Sequence, residues 1–132
     1  MSRKTVLLVD PDERDRKATE AIVTALGYDV SAHATVESAA EELRESVPAL
    51  VLTAHPLPMD SGDNFAHYVA EQQPDLCVVG MIRRGMREVA RDVLTHGCHD
   101  FLSKPMEPDL LGKKLRELIG AASDDPWPLV DH

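Results

Sequence analysis

Short apolar runs alternate with longer amphipathic stretches along most of this sequence. Five runs are rich in aliphatic residues and short enough to be strands; they cover residues 5–10, 28–33, 49–54, 76–82 and 99–103. Each run is followed by a stretch whose apolar residues recur at helical spacing. The alternation is typical of βα units on a parallel sheet, and it predicts one doubly wound α/β domain.

The helical stretches have recognisable ends and one apolar face each. The first is predicted over residues 12–26, ending before Gly27, a residue that suits the left-handed conformation after a helix. The second starts near Val36 and is closed by Pro48, and the third covers residues 62–73. The predicted buried faces of the first, second and last helices comprise Ala18, Ile22, Ala25 and Leu26; Val36, Ala39, Ala40 and Leu43; and Leu111, Leu115, Leu118 and Ile119.

A fourth helix is predicted before the last strand, and a polar segment closes the chain. The fourth helix has Met86, Val89, Ala90, Val93 and Leu94 on one face and stops at Gly97. Residues 123–132, SDDPWPLVDH, are acidic and Pro-rich and are predicted to be a flexible tail. The domain is therefore expected to occupy residues 1–122.

Four residues at the ends of predicted strands are expected to meet. The carboxyl ends of parallel strands lie at one edge of such a sheet, where α/β proteins bind their ligands. Asp10, Ala54, Ile82 and Lys104 close the first, third, fourth and fifth strands. We expect these four side chains to form one pocket.

Charge and composition narrow the classes of partner. The chain has 132 residues, 14 Lys and Arg against 23 Asp and Glu, and a formal net charge of −9. This acidic balance disfavours nucleic acid and anionic membrane as partners, so a protein partner is expected. The chain contains no apolar run long enough to span a bilayer and starts without a signal sequence, which favours the cytoplasm. Cys77 and Cys98 lack metal-ligand spacing and are interpreted as small buried apolar residues rather than a disulfide.

Four segments in order resemble the receiver domain of two-component response regulators. They are VLLVDPDE at the first strand, GYDV at the second, PALVLTAHPLP at the third and GCHDFLSKPMEPDLL at the fifth. The resemblance covers residues 4–120 and implies a flavodoxin-like (βα)5 fold with strand order 2-1-3-4-5. It also implies a role in phosphorelay signalling.

The chain departs from the resemblance at most positions that carry the family's chemistry. In the family, an aspartate on the third strand accepts a phosphoryl group, Mg²⁺ is held by that aspartate and two acids after the first strand, and a hydroxyl and a lysine bind phosphoryl oxygens. Here the acceptor position is Ala54, the second acid is Pro11 and the hydroxyl position is Ile82. Phe101 stands at the position of the switch aromatic and has no hydroxyl. The sequence therefore predicts a degenerate receiver with no catalytic residue, no bound metal and no cofactor.

Two charged residues of the expected pocket leave alternatives open. Asp12 is a substitute metal ligand or phosphoryl acceptor in one interpretation and the N-cap of the first helix in the other. Lys104 precedes Pro105, and the family usually has a cis peptide bond there. With no phosphoryl group to bind, Lys104 is expected to pair with Asp10, and with Asp12 as a further partner; a solvated lysine is the alternative.

A group of arginines follows the fourth strand and suggests a binding face. Its members are Arg83, Arg84, Arg87 and Arg91. They suit an anion or an acidic protein patch, and the alternative is a solvated helix face. The resemblance implies that the fourth helix, fifth strand and fifth helix form the face through which receivers meet partners, with a homodimer as one arrangement.

Two classes of function remain at this stage. The first is a non-enzymatic, phosphorylation-independent interaction module in two-component signalling, from a stand-alone receiver or a fragment of a longer protein. The second is a working phosphotransfer receiver that uses a displaced acid such as Asp12, or a sensor that binds a small ligand or anion in the emptied pocket.

Overall fold

The computed structural model contains one parallel sheet, with described helices after its first, second, third and fifth strands. It describes residues 3–54, 61–83 and 98–122. The five strands are β1 (Thr5–Val9), β2 (Asp29–His33), β3 (Leu50–Ala54), β4 (Cys77–Arg83) and β5 (Asp100–Lys104). The helices in the described part are α1 (Glu13–Ala25), α2 (Val36–Glu45), α3 (Ser61–Gln72) and α4 (Pro108–Ile119). The last of these is the fifth helix of the sequence prediction, since the predicted fourth helix lies outside the described residues.

The strand order is β2-β1-β3-β4-β5 and every pair is parallel. The order reverses at β1, because β2 lies on one side of β1 and β3 on the other. This is the topology that the family resemblance implies, and the prediction of a doubly wound sheet is confirmed. The strand boundaries differ from the predicted ones by about one residue, most visibly for β4 and β5, which both extend one residue further.

The core lies on both faces of the three central strands. Residues 6–9 of β1 and 50–52 of β3 are fully buried, as are Val78, Val79 and Met81 of β4. Near-continuous apolar strands are the expected pattern for a sheet that helices cover on both faces. The rigid centre fixes where each strand ends, and so where the candidate pocket lies.

Two of the predicted helix faces are wrong in part. In α1 the buried residues are Thr19 and Val23, whereas Ala18 and Ala25 are exposed. The α1 face is therefore rotated toward a threonine that the apolar pattern left out, and small alanines tolerate either environment. In α4 Leu111 and Leu115 are buried as predicted, but Leu118 is 36% exposed. The predicted α2 face is confirmed at Ala39 and Leu43, which are both buried.

Two glycines shape the packing of α1. Gly27 follows α1 with φ of +101°, the positive value that its position after the helix predicted. Gly112 of α4 lies against Leu26, and an added Cβ would stand 3.0 Å from its Cδ2 atom. The absence of a side chain at Gly112 lets α4 approach the end of α1 closely.

No helix in the described ranges is long and apolar enough to cross a membrane. The predicted tail, residues 123–132, lies outside these ranges.

Candidate functional site

The candidate site lies at the edge formed by the carboxyl ends of the strands. Asp10 directly follows β1, Ala54 ends β3, Ile82 is the penultimate residue of β4 and Lys104 ends β5. The parallel register holds these ends level. Val9 of β1 pairs with Thr53 of β3, and the last pair of β4 and β5 is Arg83 with Lys104. The edge predicted from the sequence is thus the edge that the fold forms.

Asp10 is the buried centre of this edge. Its side chain is only 1% exposed, and its Oδ1 accepts a hydrogen bond of 3.0 Å from the Asp12 N–H. Its backbone is also held, because the Asp10 N–H donates to the His33 carbonyl at 3.0 Å and its own carbonyl accepts from Arg16 Nη1 at 2.9 Å. These contacts fix the carboxylate at the end of β1.

Lys104 supplies the positive charge that this buried carboxylate needs. The Lys104 Nζ lies 2.7 Å from Asp10 Oδ2 and 3.2 Å from Asp15 Oδ2, and its side chain is 16% exposed. Among the described residues, Asp10 Oδ2 has no partner in hydrogen-bond geometry, so its short contact with the ammonium is an ion pair whose angles are not those of a hydrogen bond. The predicted Lys104–Asp10 pair is confirmed. The Lys104–Pro105 peptide bond is cis, as the family resemblance implies.

Asp12 caps α1, and Asp15 is the second partner of Lys104, the role that the sequence prediction gave to Asp12. The Asp12 side chain accepts a hydrogen bond of 2.9 Å from the Asp15 N–H in the first turn of α1. This backbone hydrogen bond is the main reason that the pKa of Asp12 lies below its usual value. The N-cap interpretation of Asp12 is confirmed. Because the cap turns Asp12 toward its own helix, the carboxylate one turn further along reaches the lysine.

Three of the predicted pocket residues present only carbon atoms. Ala54 is 6% exposed and Ile82 is 3% exposed, and both are buried. Phe101 is half-buried in β5, and its N–H donates to Asp100 Oδ1 at 2.8 Å. A methyl group and an alkyl chain offer neither a nucleophilic oxygen nor a hydrogen-bond donor to a phosphoryl group.

The residues at this edge do not fit the Mg²⁺ that the family resemblance implies. Mg²⁺ requires oxygen ligands in near-octahedral geometry and is usually held by carboxylates together with phosphate oxygens. Asp10 is already neutralised by an ammonium at 2.7 Å, and Ala54 contributes no ligand. Within the described ranges, no group of three or more His, Cys, Asp or Glu side chains is arranged to hold a metal ion.

Of the four arginines in the predicted binding face, Arg83 lies within the described residues. Arg83 is the last residue of β4 and lines an open groove of about 600 Å³ beside the Lys104 ion pair. The complete lining in the described residues is Asp12, Arg14, Asp15, Arg83, Lys104 and Pro105. Arg84, Arg87 and Arg91 lie outside the described residues. The sequence prediction missed Arg14 and Asp15, because their approach to the groove depends on where α1 begins.

A second, smaller groove lies between β5 and α4. Its volume is about 210 Å³, and its lining consists of Phe101, Leu102, Ser103, Pro105, Met106, Glu107, Leu110 and Leu111. Leu110 stands at its rim with 57% of its surface exposed. This is the described part of the face that the sequence prediction assigned to a partner.

Comparison with known proteins identifies the family. The sequence-family model of the response regulator receiver domain matches residues 6–116 of this chain. The chain therefore belongs to the response regulator receiver family of two-component signalling.

Individual relatives agree with this assignment. The chain is 33% identical over 101 residues to the luminescence regulatory protein LuxO of Vibrio campbellii, a match that covers 76% of this chain and 22% of LuxO. It is 32% identical over 122 residues to the response regulator protein PilR of Pseudomonas aeruginosa, covering 92% of this chain and 26% of PilR. The chain thus spans about a quarter or less of the length of these relatives.

A solved structure shows the same fold. A putative response regulator from Chloroflexus aurantiacus superposes with a TM-score of 0.84 at 22% identity, covering 89% of this chain and 98% of that one.

Proposed function

We propose that this protein is a degenerate receiver that acts without phosphorylation and without catalytic activity, as a docking module for a protein partner. The partner would bind the face formed by the predicted fourth helix together with β5 and α4. A second copy of the chain is one such partner. The pocket at the strand ends would serve to hold this face in one conformation.

The Lys104–Asp10 ion pair is the observation that carries the proposal. In the receiver family the corresponding lysine meets the transferred phosphoryl group. Here its ammonium lies 2.7 Å from a carboxylate that is 1% exposed, and a second carboxylate lies at 3.2 Å. Removing one partner of a buried pair costs about 3–5 kcal/mol, because the other charge stays buried. The ion pair therefore holds the Lys104 side chain strongly in this position.

The candidate acceptors also support phosphorylation independence. Ala54 has no oxygen in its side chain. Asp12, the displaced acid of the alternative interpretation, is committed to the N-terminus of α1, where its carboxylate accepts a backbone hydrogen bond. Transfer to Asp12 would replace this charged acceptor with a neutral acyl carbonyl and so weaken the cap. These features favour a docking module over a displaced phosphotransfer site.

Amide NMR with beryllofluoride and Mg²⁺ tests phosphorylation independence. Beryllofluoride imitates a phosphoryl group on a carboxylate. We expect the amide signals of Asp10, Ala54, Ile82 and Lys104 to stay within the small changes caused by salt alone. Large and saturating shifts confined to these four positions would contradict the proposal and would favour a phosphotransfer site.

The groove beside α4 supports the docking part of the proposal. Leu110 exposes 57% of its surface at the rim of a groove lined largely by apolar side chains. Exposed apolar residues next to a groove are a common feature of binding surfaces. The groove also borders Pro105, which follows Lys104 directly. The ion pair and the proposed docking face are thus joined by one short stretch of chain.

A matched pair of variants tests the docking face. Val47 is 58% exposed, follows α2 and is absent from the lining of either groove, so Val47→Glu controls for a charge placed on an exposed apolar residue. We expect Leu110→Glu to abolish capture of the partner from a lysate of the native organism, or to abolish self-association in sedimentation, while Val47→Glu leaves both unchanged. Equal effects of the two variants, or no effect of Leu110→Glu, would exclude this face.

A small anion is a second candidate ligand, because of the groove next to the ion pair. Arg14, Arg83 and Lys104 bring three positive charges to its lining, against two carboxylates. Titration with inorganic phosphate, observed at the amides of Arg14 and Arg83, tests this candidate. Saturable shifts that disappear in Arg83→Ala would support an anion sensor, and their absence would leave the docking module alone.

A further inference from the structure

One face of α4 carries two exposed leucines in a single row. Leu110 is 57% exposed and Leu118 is 36% exposed, and Lys114 stands between them at a spacing of four residues on either side. Residues four apart lie on the same face of a helix, so the three side chains form a row about 12 Å long. In the described ranges the remaining large apolar residue that is exposed is Val47. Exposed apolar surface is therefore concentrated on this leucine row.

The leucine row is apolar along its length and leads into a groove. The Lys114 ammonium is bound to Asp100 Oδ2 at 2.7 Å, so its charge is neutralised by β5 while its methylene stem lies between the leucines. Leu110 also lines the groove of about 210 Å³ between β5 and α4, together with the adaptable Met106 and the aromatic Phe101. A strip of this kind suits an extended peptide with bulky apolar side chains, particularly a Pro-rich one.

The ten residues that follow the described domain have a matching composition. Residues 123–132, SDDPWPLVDH, contain three aspartates and no lysine or arginine, and their large apolar side chains are Trp127, Leu129 and Val130. Residues 113–119 of α4, KKLRELI, contain three cations against one acid. The end of α4 is thus locally positive in a chain whose net charge is −9, and it attracts an acidic segment.

The start of this segment is fixed close to the end of α4. The Ala122 carbonyl accepts a hydrogen bond of 2.7 Å from the Lys4 N–H, and Ala122 packs against the core three residues after the helix. An extended chain covers about 3.4 Å per residue, so Trp127 reaches up to about 17 Å from Ala122 and Val130 up to about 27 Å. The segment is therefore long enough to fold back over the whole leucine row.

We propose that residues 123–132 dock on the leucine row of their own chain, with Trp127 packed against Leu118 and the apolar residues after it directed toward the groove at Leu110. Prolines on both sides of the tryptophan reduce the conformational entropy lost on docking. A short tether gives an effective concentration in the mM range, so a weak contact is enough. The tail would then cover part of the docking face until a partner displaces it, and this consequence alone rests on the proposed function.

Fluorescence of Trp127, the single tryptophan of the chain, tests the contact. Quenching by acrylamide is compared between the full chain and the free peptide SDDPWPLVDH. A contact that leaves half or more of the tails docked should lower the quenching constant at least about twofold in the full chain and shift its emission to shorter wavelength.

Three variants with the wild-type circular dichroism spectrum locate the contact. Leu118→Glu is expected to restore the quenching constant of the peptide, and Leu110→Glu to raise the constant part of the way. Val47→Glu places the same charge on an exposed apolar residue outside α4 and is expected to leave the protection of the tryptophan unchanged.

Three results would overturn the proposal. The first is a full chain that is quenched as strongly as the peptide. The second is protection that persists in both leucine variants, because the tail would then bind elsewhere. The third is protection that rises with protein concentration, which would assign the contact to the tail of a second copy. The assay requires no partner, so its failure is distinct from a failure of the proposed docking face.

Discussion

Lys104→Met is the substitution that tests the Lys104–Asp10 ion pair most directly. Methionine keeps most of the volume of the lysine stem and removes the ammonium. The carboxylate of Asp10, 1% exposed, would then keep the hydrogen bond from the Asp12 N–H and lose the ammonium that lies 2.7 Å from its Oδ2. The substitution therefore leaves a buried charge without its partner.

The expected loss follows from the burial of the two groups. Breaking a buried pair by removing one partner costs about 3–5 kcal/mol. Since Lys104 is itself 16% exposed and water can enter its place, we expect a value near the lower end, about 3 kcal/mol, which is roughly a hundredfold change in the folding equilibrium. This is a large part of the stability of an ordinary domain.

Urea unfolding at pH 7 measures this loss, and two further variants interpret it. Asp10→Asn in the Lys104→Met background removes the unpaired charge and keeps an oxygen for the Asp12 N–H, so it should recover at least half of the loss. Asp15→Asn should cost less than about 1 kcal/mol, because Asp15 is 39% exposed and its contact with Lys104 is longer. A loss below about 1 kcal/mol in Lys104→Met, or no recovery in the double variant, would refute the buried-pair account.

Three further predictions concern the cap, a second ion pair and the acceptor position. Asp12→Ala should lower the urea midpoint, and this difference between the variant and the wild type should fade in acid. The pKa of Asp12 is lowered in the folded state, so its carboxylate stabilises the fold above pH 3.8, the usual pKa, and this stabilisation is lost as the pH falls through the pKa of the folded state. Burial alone would raise the pKa of Asp100, but hydrogen bonds from Lys114 and a backbone N–H lower it, and the bond to Asp100 raises the pKa of Lys114. Asp100→Asn should therefore cost roughly 0.5–1 kcal/mol of the free energy of unfolding in urea between pH 3.8 and pH 10.5, the usual pKa values of the two groups. The cost should vanish in stronger acid and in stronger base. A cost that does not change with pH would contradict the ion pair. Ala54→Asp should gain no acyl phosphate from acetyl phosphate and Mg²⁺ in intact-mass spectra, and a stable adduct would show that the rest of the pocket is still competent.

The sequence predicted the edge and its central contact because both depend on strand order alone. Parallel strands present their carboxyl ends together, so Asp10, Ala54, Ile82 and Lys104 could be brought to one pocket without coordinates. The pair between Lys104 and Asp10 then followed from the resemblance, since a partly desolvated ammonium with no phosphoryl group to bind needs a carboxylate.

Details that depend on helix phase could not be predicted in the same way. The approach of Asp15 to Lys104 depends on the residue at which α1 begins. Thr19 is buried although the apolar pattern left it out, while Ala18 and Ala25, which were predicted for the buried face, are exposed.

Direct phosphorylation of the wild-type chain tests the central claim. The chain is incubated with acetyl phosphate and Mg²⁺ beside a family receiver that has the acceptor aspartate, and both are measured by intact-mass spectrometry under conditions that preserve acyl phosphates. We expect the added mass of one phosphoryl group on the control receiver and none on this chain. A phosphoryl group found on Asp10, Asp12 or Asp15 would contradict the account.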